Sequence, residues 1–418
     1  MPTEAATAGA GAVTGRDRQA RLAAYAAFAV QGLCFATLVG RVNQLRDAHH
    51  MTDDQINILV LCVPIIAGVG SAIAAPLMGR FGSGPVLRIS QPLVCLTVLS
   101  VGLTGDANLP LYVLIGLFGL AVGAVDASMN AQAVRAERAY GVSILTGFHA
   151  LWSAAAGLGA VWAWAANEYV FPHSLTKSLA VGFAIPAVLG IAVSAATGTR
   201  LYRRAEEAAN VAAEAVKSAA KLVPWRPVLI IGIAMACFYI ADSMLSNFGT
   251  LFFDKDLHSK SVAPLGLAAY QVMMVASRAV ADLGVRRFGA TKVVRAGTVV
   301  GALGLILVFA AQNAPMAIAG FAVTGLGLCV VAPISFSAAG KVDASGLGIA
   351  VARVNIFNYV GFVVGAVIVL IVQPMSSYQT SYIVPAVLTL VIIALARGFE
   401  PAGSANEPAP VAAERPVA

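Results

Sequence analysis

The sequence predicts an all-α integral membrane protein, with twelve transmembrane helices in two six-helix bundles. Three observations lead there. Of 418 residues, 59% are hydrophobic and only 11% charged, with a mean hydropathy of +0.82; soluble domains carry about 25% charged residues. The apolar residues fall in continuous runs close to the ~20 residues that a helix needs to cross about 30 Å of hydrocarbon, not in the alternating pattern of a β-barrel. A short basic motif also recurs half a chain apart.

Twelve segments meet the length requirement: 21–45, 54–78, 86–105, 109–133, 142–166, 176–198, 226–250, 262–284, 290–311, 314–338, 346–371 and 379–396. The longest polar interruption, 199–225, parts them six and six. Its Ala, Glu and Lys content favours helix, expected to lie on the membrane surface. The expected organisation is a polar cytoplasmic tail (1–20), a bundle (21–198), a cytoplasmic linker (199–225), a second bundle (226–396) and a disordered tail (397–418) too poor in apolar residues to pack. The N-terminal tail lacks the apolar stretch of a cleaved signal peptide.

The net charge of +7 could point to nucleic acid. The basic residues, however, sit in short loops between apolar runs and make no continuous patch, so no nucleic-acid partner is expected. The loops instead report topology. With the N-terminus placed in the cytoplasm, only Arg41, Arg46, Lys177, Lys255 and Lys260 fall on the outer side, and Arg278 and Arg353 lie inside spans. The other Lys and Arg are cytoplasmic, as the positive-inside rule requires for a chain with both termini inside. The five cysteines, Cys34, Cys62, Cys95, Cys237 and Cys329, each lie in an apolar run without a CxxC partner. They read as small core residues, not as a zinc site or disulfide framework. No phosphate-binding loop appears, because Gly340-Lys341 is followed by Val342, and no HExxH is present. Neither an enzyme nor an ATP-driven pump is expected, and no cofactor or metal.

The two halves echo each other. RFGSGPVLR (80–88) follows the second span and RFGATKVVR (287–295) follows the eighth. Parallel six-helix repeats of this kind build one large class of secondary transporters. Together with the twelve spans, the repeat resembles the major facilitator superfamily. The first loop departs from that family's G-x-L-x-D-R-x-G-R-R pattern: Gly79 stands where Asp is usual, while Arg80 and Gly82 are kept. GAVDASMNAQAVRAERAYGVSILTGFHALWSAAAGLGA (123–160) is similar to the fourth and fifth helices of the fucose-permease-like branch and its uncharacterised bacterial relatives. There an acid precedes an Asn by four residues, the places held here by Asp126 and Asn130; the Pro that usually follows is Ala131. SRAVADLGVRRFG, GLGLCVVAPISFSAAGK and FNYVGFVVGA are similar to the eighth, tenth and eleventh helices of the same branch. The resemblance implies the major facilitator fold, a bacterial inner-membrane location, and transport of a small solute by alternating access, with no cofactor.

Asp126 is the first candidate for function. An ionised carboxylate at a helix centre costs about 2.5–3.5 kcal/mol on insertion scales. It could bind the coupling proton, accept hydrogen bonds from a polar solute, or be satisfied internally as a structural acid. Counting from the cytoplasmic ends, Asp126 lies about 12 Å deep and His149, on the returning helix, about 10 Å deep. The two make a candidate proton pair, although a buried His is often structural. Asn130 lies one turn from Asp126 on the same face. In the second half, Asp242 and Asn247 stand beyond the midplane of span seven, and Asn355, Asn358 and Tyr359 share one face of span eleven. Trp152 and Tyr239 are stacking candidates for a sugar-like ring, or plain packing. Arg41 could gate or could snorkel to water.

The repeated loops suggest a second role. Arg80, Arg88, Arg287 and Arg295 line the cytoplasmic face, and Arg278 with Asp282 forms an i,i+4 pair nearby. They are expected to form a charge latch between the halves that holds the outward-open state closed inside, or to be topology signal alone. Gly119 and Gly123, and Gly361 and Gly365, have the GxxxG spacing of close helix contacts. The function expected is a monomeric, proton-coupled symporter in the lipid bilayer for a small polar solute, plausibly sugar-like. The alternative is a proton-driven drug or metabolite exporter. The fifth span has Gly157 and Gly159 but lacks the Pro common in exporters.

Overall fold

The computed structural model describes residues 13–106, 108–141, 144–207, 221–342 and 349–400. The side chain of Asp282 lies outside the described residues. Twelve long helical elements follow one another: α1 Gly15–Val39, α2 Asp53–Phe81, α3 Ser83–Val101, α4 Asn108–Tyr140, α5 Leu145–Tyr169, α6 Leu175–Gly198, α7 Trp225–Lys255, α8 Ala263–Phe288, α9 Ala290–Phe309, α10 Ala314–Val342, α11 Ile349–Val372 and α12 Tyr378–Phe399.

Local chemistry fixes several boundaries. Thr14 with Asp17, and Thr52 with Gln55, form capping boxes that start α1 and α2. Asn313 caps α10 by accepting from the Met316 amide. The repeated RFG motif has a backbone purpose. Gly82 ends α2 and starts α3 at φ +92°, and Gly289 does the same between α8 and α9 at φ +84°. Side-chain-bearing residues rarely take that conformation, so each glycine lets one residue reverse the chain.

Ten of these helices are long and apolar enough to cross a membrane. α5 and α8, also long helices, are not among them, so the twelve expected spans are not equally apolar. The reason is where they lie. α5 is rich in Ala, Gly and Trp, and α8 carries Tyr270, Gln271, Ser277 and Arg278, all buried. These two helices face each other across the centre of the molecule, where polar residues meet protein instead of lipid.

α1–α6 pack chiefly on one another, through α2–α4, α1–α5, α3–α4 and α3–α6. α7–α12 do likewise, through α7–α11, α9–α10, α8–α10 and α9–α12. The halves meet along α5–α8 and α2–α11. Small residues permit the close approaches. A Cβ on Gly361 would stand 2.6 Å from the Ala236 carbonyl oxygen, and one on Gly365 2.6 Å from that of Ile240; Gly123 is pressed as closely on the Ala67 carbonyl.

The segment after α6 is not a free surface helix where it is described. Arg16 pairs with Glu206 at 2.7 Å, Tyr202 Oη donates to Asp17 at 2.9 Å, and Gln132 Nε2 donates to the Tyr202 carbonyl at 3.1 Å. Residues 200–207 thus clamp the bases of α1 and α4. Residues 208–220 lie outside the described residues. At the other terminus, packing continues past 396: Phe399 is buried and Glu400 accepts from the Thr291 amide at 3.1 Å. Residues 401–418 lie outside the described residues.

Candidate functional site

Between the halves lies a cavity of about 740 Å³. It opens towards the end of the molecule that carries the two RFG junctions, with Arg286 and Lys341 among its lining. Asn130 and Val134 on α4, Thr146 and His149 on α5, Tyr239 on α7, Arg278 on α8 and Asn355 on α11 also line it.

The opposite end is closed by polar contacts between the halves. Arg46, on the short helix Val42–Ala48, pairs with Asp254 of α7 at 2.7 Å. Lys255 pairs with Asp53 of α2 at 2.6 Å, and Lys260 with Asp47. Asn43 Nδ2 donates to the Thr250 carbonyl at 2.8 Å, and Tyr378 Oη to Asn57 Oδ1 at 2.9 Å. Burial alone would raise the Asp47 carboxyl, but hydrogen bonds from Lys260 and Arg46 hold it below its usual value. One end is open and the other latched.

Asp126 sits in the middle of α4, partly accessible. Its Oδ1 accepts from Gln31 Nε2 of α1 at 2.8 Å. Gln31 is itself buried, and its Oε1 accepts from Trp152 Nε1 of α5 at 3.1 Å. Three helices therefore meet at one carboxylate. Asn130 Nδ2 donates to the Asp126 carbonyl at 2.8 Å, leaving its Oδ1 for the cavity that it lines.

A second carboxylate stands in α7. Asp242 Oδ1 accepts from Tyr270 Oη of α8 at 2.6 Å. Arg278 lies two turns further along α8. It also crosses to the first half, where its Nη1 donates to Ser153 Oγ at 2.8 Å and to the His149 carbonyl at 3.1 Å. The site is thus one acid from each half, with an arginine reaching across the seam.

Several expectations change. His149 and Asp126 share no described contact. The His149 ring instead lies edge-on to Phe28 at 5.2 Å and stacks on Phe336 at 6.5 Å, with Nε2 lacking a partner. Trp152 is held by Gln31 and lies 5.9 Å from the Phe35 ring. Tyr239 packs between Phe238 and Phe362 with its edge on the cavity. Asn358 keeps a buried Oδ1 without a partner. Asn247 is not in the main cavity: it donates to Ser243 at 3.2 Å and borders a small apolar pocket nearer the latched end. Arg41 does not snorkel; it is fully buried, donates to Ser178 at 2.9 Å and lies over Phe183.

The expected cytoplasmic latch is not engaged in this arrangement, in which the cavity is open at that end. Arg278 is 8% exposed and lies in the cavity wall, not at the rim. The described contacts of Arg80, Arg88, Arg287 and Arg295 each stay within their own half: Arg80 lies over Phe81, Arg88 packs on Gly198, Arg287 lies over Phe288 and Arg295 donates to the Ile393 carbonyl. Among the described residues, the ion pairs that join the halves are at the other end. Asp47, Asp53 and Asp254 supply their acids, beside Arg46, Lys255 and Lys260, which the sequence marks only as outer-side charge. The signal was available: these acids share the outer side with the few cations found there. Gln31 offered less signal, being one uncharged polar residue in an apolar span.

Known proteins agree with this architecture. The family model described as Major Facilitator Superfamily matches residues 231–417. An uncharacterized MFS-type transporter of Yersinia pestis is 28% identical over 377 residues, 89% of this chain and 93% of that protein. An uncharacterized transporter of Sinorhizobium fredii is 24% identical, over 81% of this chain and 87% of the relative. Among solved structures, the MFS transporter FucP in its outward conformation superposes with a TM-score of 0.62 at 14% identity, over 91% of this chain and 98% of FucP. The nucleoside transporter NupG gives 0.63 at 16% identity, over 92% and 99%.

Proposed function

We propose that this chain is a major facilitator superfamily transporter that moves a small polar solute across the bacterial inner membrane in symport with protons. The halves, residues 21–198 and 226–396, rock about the central cavity, which takes solute from one side at a time. In this reading the open end of the cavity faces the cytoplasm and the ion-paired end faces outward, as the distribution of Lys and Arg in the loops supports.

The observation that carries the reading is Asp126. A carboxylate inside a membrane-spanning helix, held by the neutral Gln31 at 2.8 Å and without a described cationic partner, is suited to gaining and losing a proton. Asn130, Asn355 and Tyr239 offer the cavity hydrogen-bonding groups for a hydroxyl-bearing solute, and Asp242 sets a second acid across the seam. His149, Trp152, Asn358 and Tyr359 complete the proposed wall; Asn247 and the cytoplasmic arginines would act in the conformational change. The printed name of a FucP structure, the fucose:proton symporter of E. coli, supports the proton and sugar-like reading by analogy of fold. Export by the same machinery is the alternative.

The test is uptake into proteoliposomes under an imposed inward proton gradient, across a panel of sugars, polyols, nucleosides and small organic acids. The reading expects at least one solute to accumulate only while the gradient lasts. Accumulation of none, or accumulation indifferent to the gradient, refutes it.

A further inference from the structure

We infer that Arg278 is the anchor for a carboxylate on the transported solute, so that the substrate class is a small hydroxylated organic anion. The inference rests on the transporter reading above and narrows it. Arg278 is more than nine-tenths buried in the cavity wall. Its Nη1 is used by Ser153 and the His149 carbonyl, both neutral acceptors. Its Nε is buried without a partner. A guanidinium presents Nε and Nη2 as a planar fork that matches a carboxylate with two parallel hydrogen bonds. Here α5 holds Nη1 and Nε is left without a described partner. A buried cation with an unmet donor is costly, and a bound anion would relieve it.

The rest of the cavity favours the same charge. Arg286 and Lys341 stand towards its mouth. Glu137 also lines it, but its Oε2 accepts from the Ile144 and Leu145 amides at 2.9 Å each, so its charge is drawn to the α4–α5 turn. A cleft walled by one sign of charge raises the local concentration of the opposite sign. Of the deeper acids, Asp242 accepts from Tyr270 and Asp126 from Gln31, and neither has a described hydrogen bond to Arg278. Asn130 and Asn355 supply neutral partners for the solute's hydroxyls.

The experiment measures binding to the purified full chain by ligand-dependent thermal stabilisation. It uses matched pairs that differ in one group: galactose and galacturonate, glycerol and glycerate, propanediol and lactate. At least one carboxylate should bind tenfold or more tighter than its neutral partner, and Arg278→Gln should erase that preference. Arg278→Lys, which keeps the charge and loses the fork, should retain part of it and guards against a variant that does not fold. No preference in the wild type, or the same preference in Arg278→Gln, overturns the inference. Gradient-driven uptake of a neutral solute that survives Arg278→Gln also overturns it while leaving the transporter reading standing. A carboxylate preference without any gradient-driven uptake would instead sink the coupling and keep the anchor.

Discussion

Gln31 donates to Asp126 across α1 and α4 at 2.8 Å while accepting from Trp152 of α5 at 3.1 Å. The indole can only donate, so it fixes which end of the amide faces the carboxylate. The Asp126 environment is therefore set by two neutral residues, not by a counter-ion. A hydrogen bond to a charged group contributes about 1.5–3 kcal/mol. Gln31→Leu should slow gradient-driven uptake about tenfold or more and leave the folded fraction in detergent unchanged; Trp152→Phe, which frees the amide to flip, should give a smaller loss. Initial uptake rates at fixed gradient measure both.

The outer latch should set the resting conformation. Arg46 and Asp254 are 10% and 13% exposed at the side chain, so their pair is less screened than a surface ion pair. Arg46→Ala should increase the outward-open population several-fold, read as a longer distance between spin labels on the short helix Val42–Ala48 and the start of α8. The charge swap Arg46→Asp with Asp254→Arg should restore much of the wild-type distance. Unchanged distances in Arg46→Ala would rule out a gating role.

Acid should loosen the same latch. The Asp47 carboxyl is held below its usual value while the latch is closed. A group with a depressed value stabilises the closed arrangement above its free pKa, about 3.9, and that contribution is lost as pH falls through the depressed value. Outward opening should therefore grow below about pH 4, and Asp47→Asn should loosen the latch at neutral pH and remove part of the acid effect. The same spin-label distances, followed against pH, check this.

The helix contacts predict a third class of defect. Gly123 of α4 lies against the Ala67 backbone of α2, and Gly32 of α1 against the Trp152 carbonyl of α5. Overpacking costs typically about 1–3 kcal/mol, and more where the obstacle is backbone. Gly123→Leu should lower the detergent melting temperature markedly or prevent folding, whereas Gly68→Leu, with open space around it, should be tolerated. Thermal unfolding of the two variants compares them directly.

Much of the fold was legible because lipid imposes a simple code. Long apolar runs announce helices, and the doubled RFG motif located the two glycine-hinged junctions, Gly82 and Gly289. α5 and α8 were harder, because helices that face a central seam trade apolar residues for Gly, Trp and polar groups. The candidate site was half legible. Asp126, Asn130, Tyr239, Asp242 and Asn355 stand out as polar residues in apolar sequence. What joins them does not: Gln31 and Tyr270 become partners only when helices distant in sequence pack together. Arg278 looked like a rim residue because it follows an apolar run near the basic junction, yet the α8–α5 contact draws it into the wall. The ion pairs at the closed end were less legible, because the arginine-rich loops are conspicuous while the acids Asp47, Asp53 and Asp254 come from three separate segments.

The measurement closest to the central claim compares wild type with Asp126→Asn in proteoliposomes, for one transported solute, in two modes. In gradient-driven uptake the wild type should accumulate solute and Asp126→Asn should not. In exchange of internal for external solute without a gradient, Asp126→Asn should still turn over. Full gradient-driven accumulation by Asp126→Asn would contradict the account.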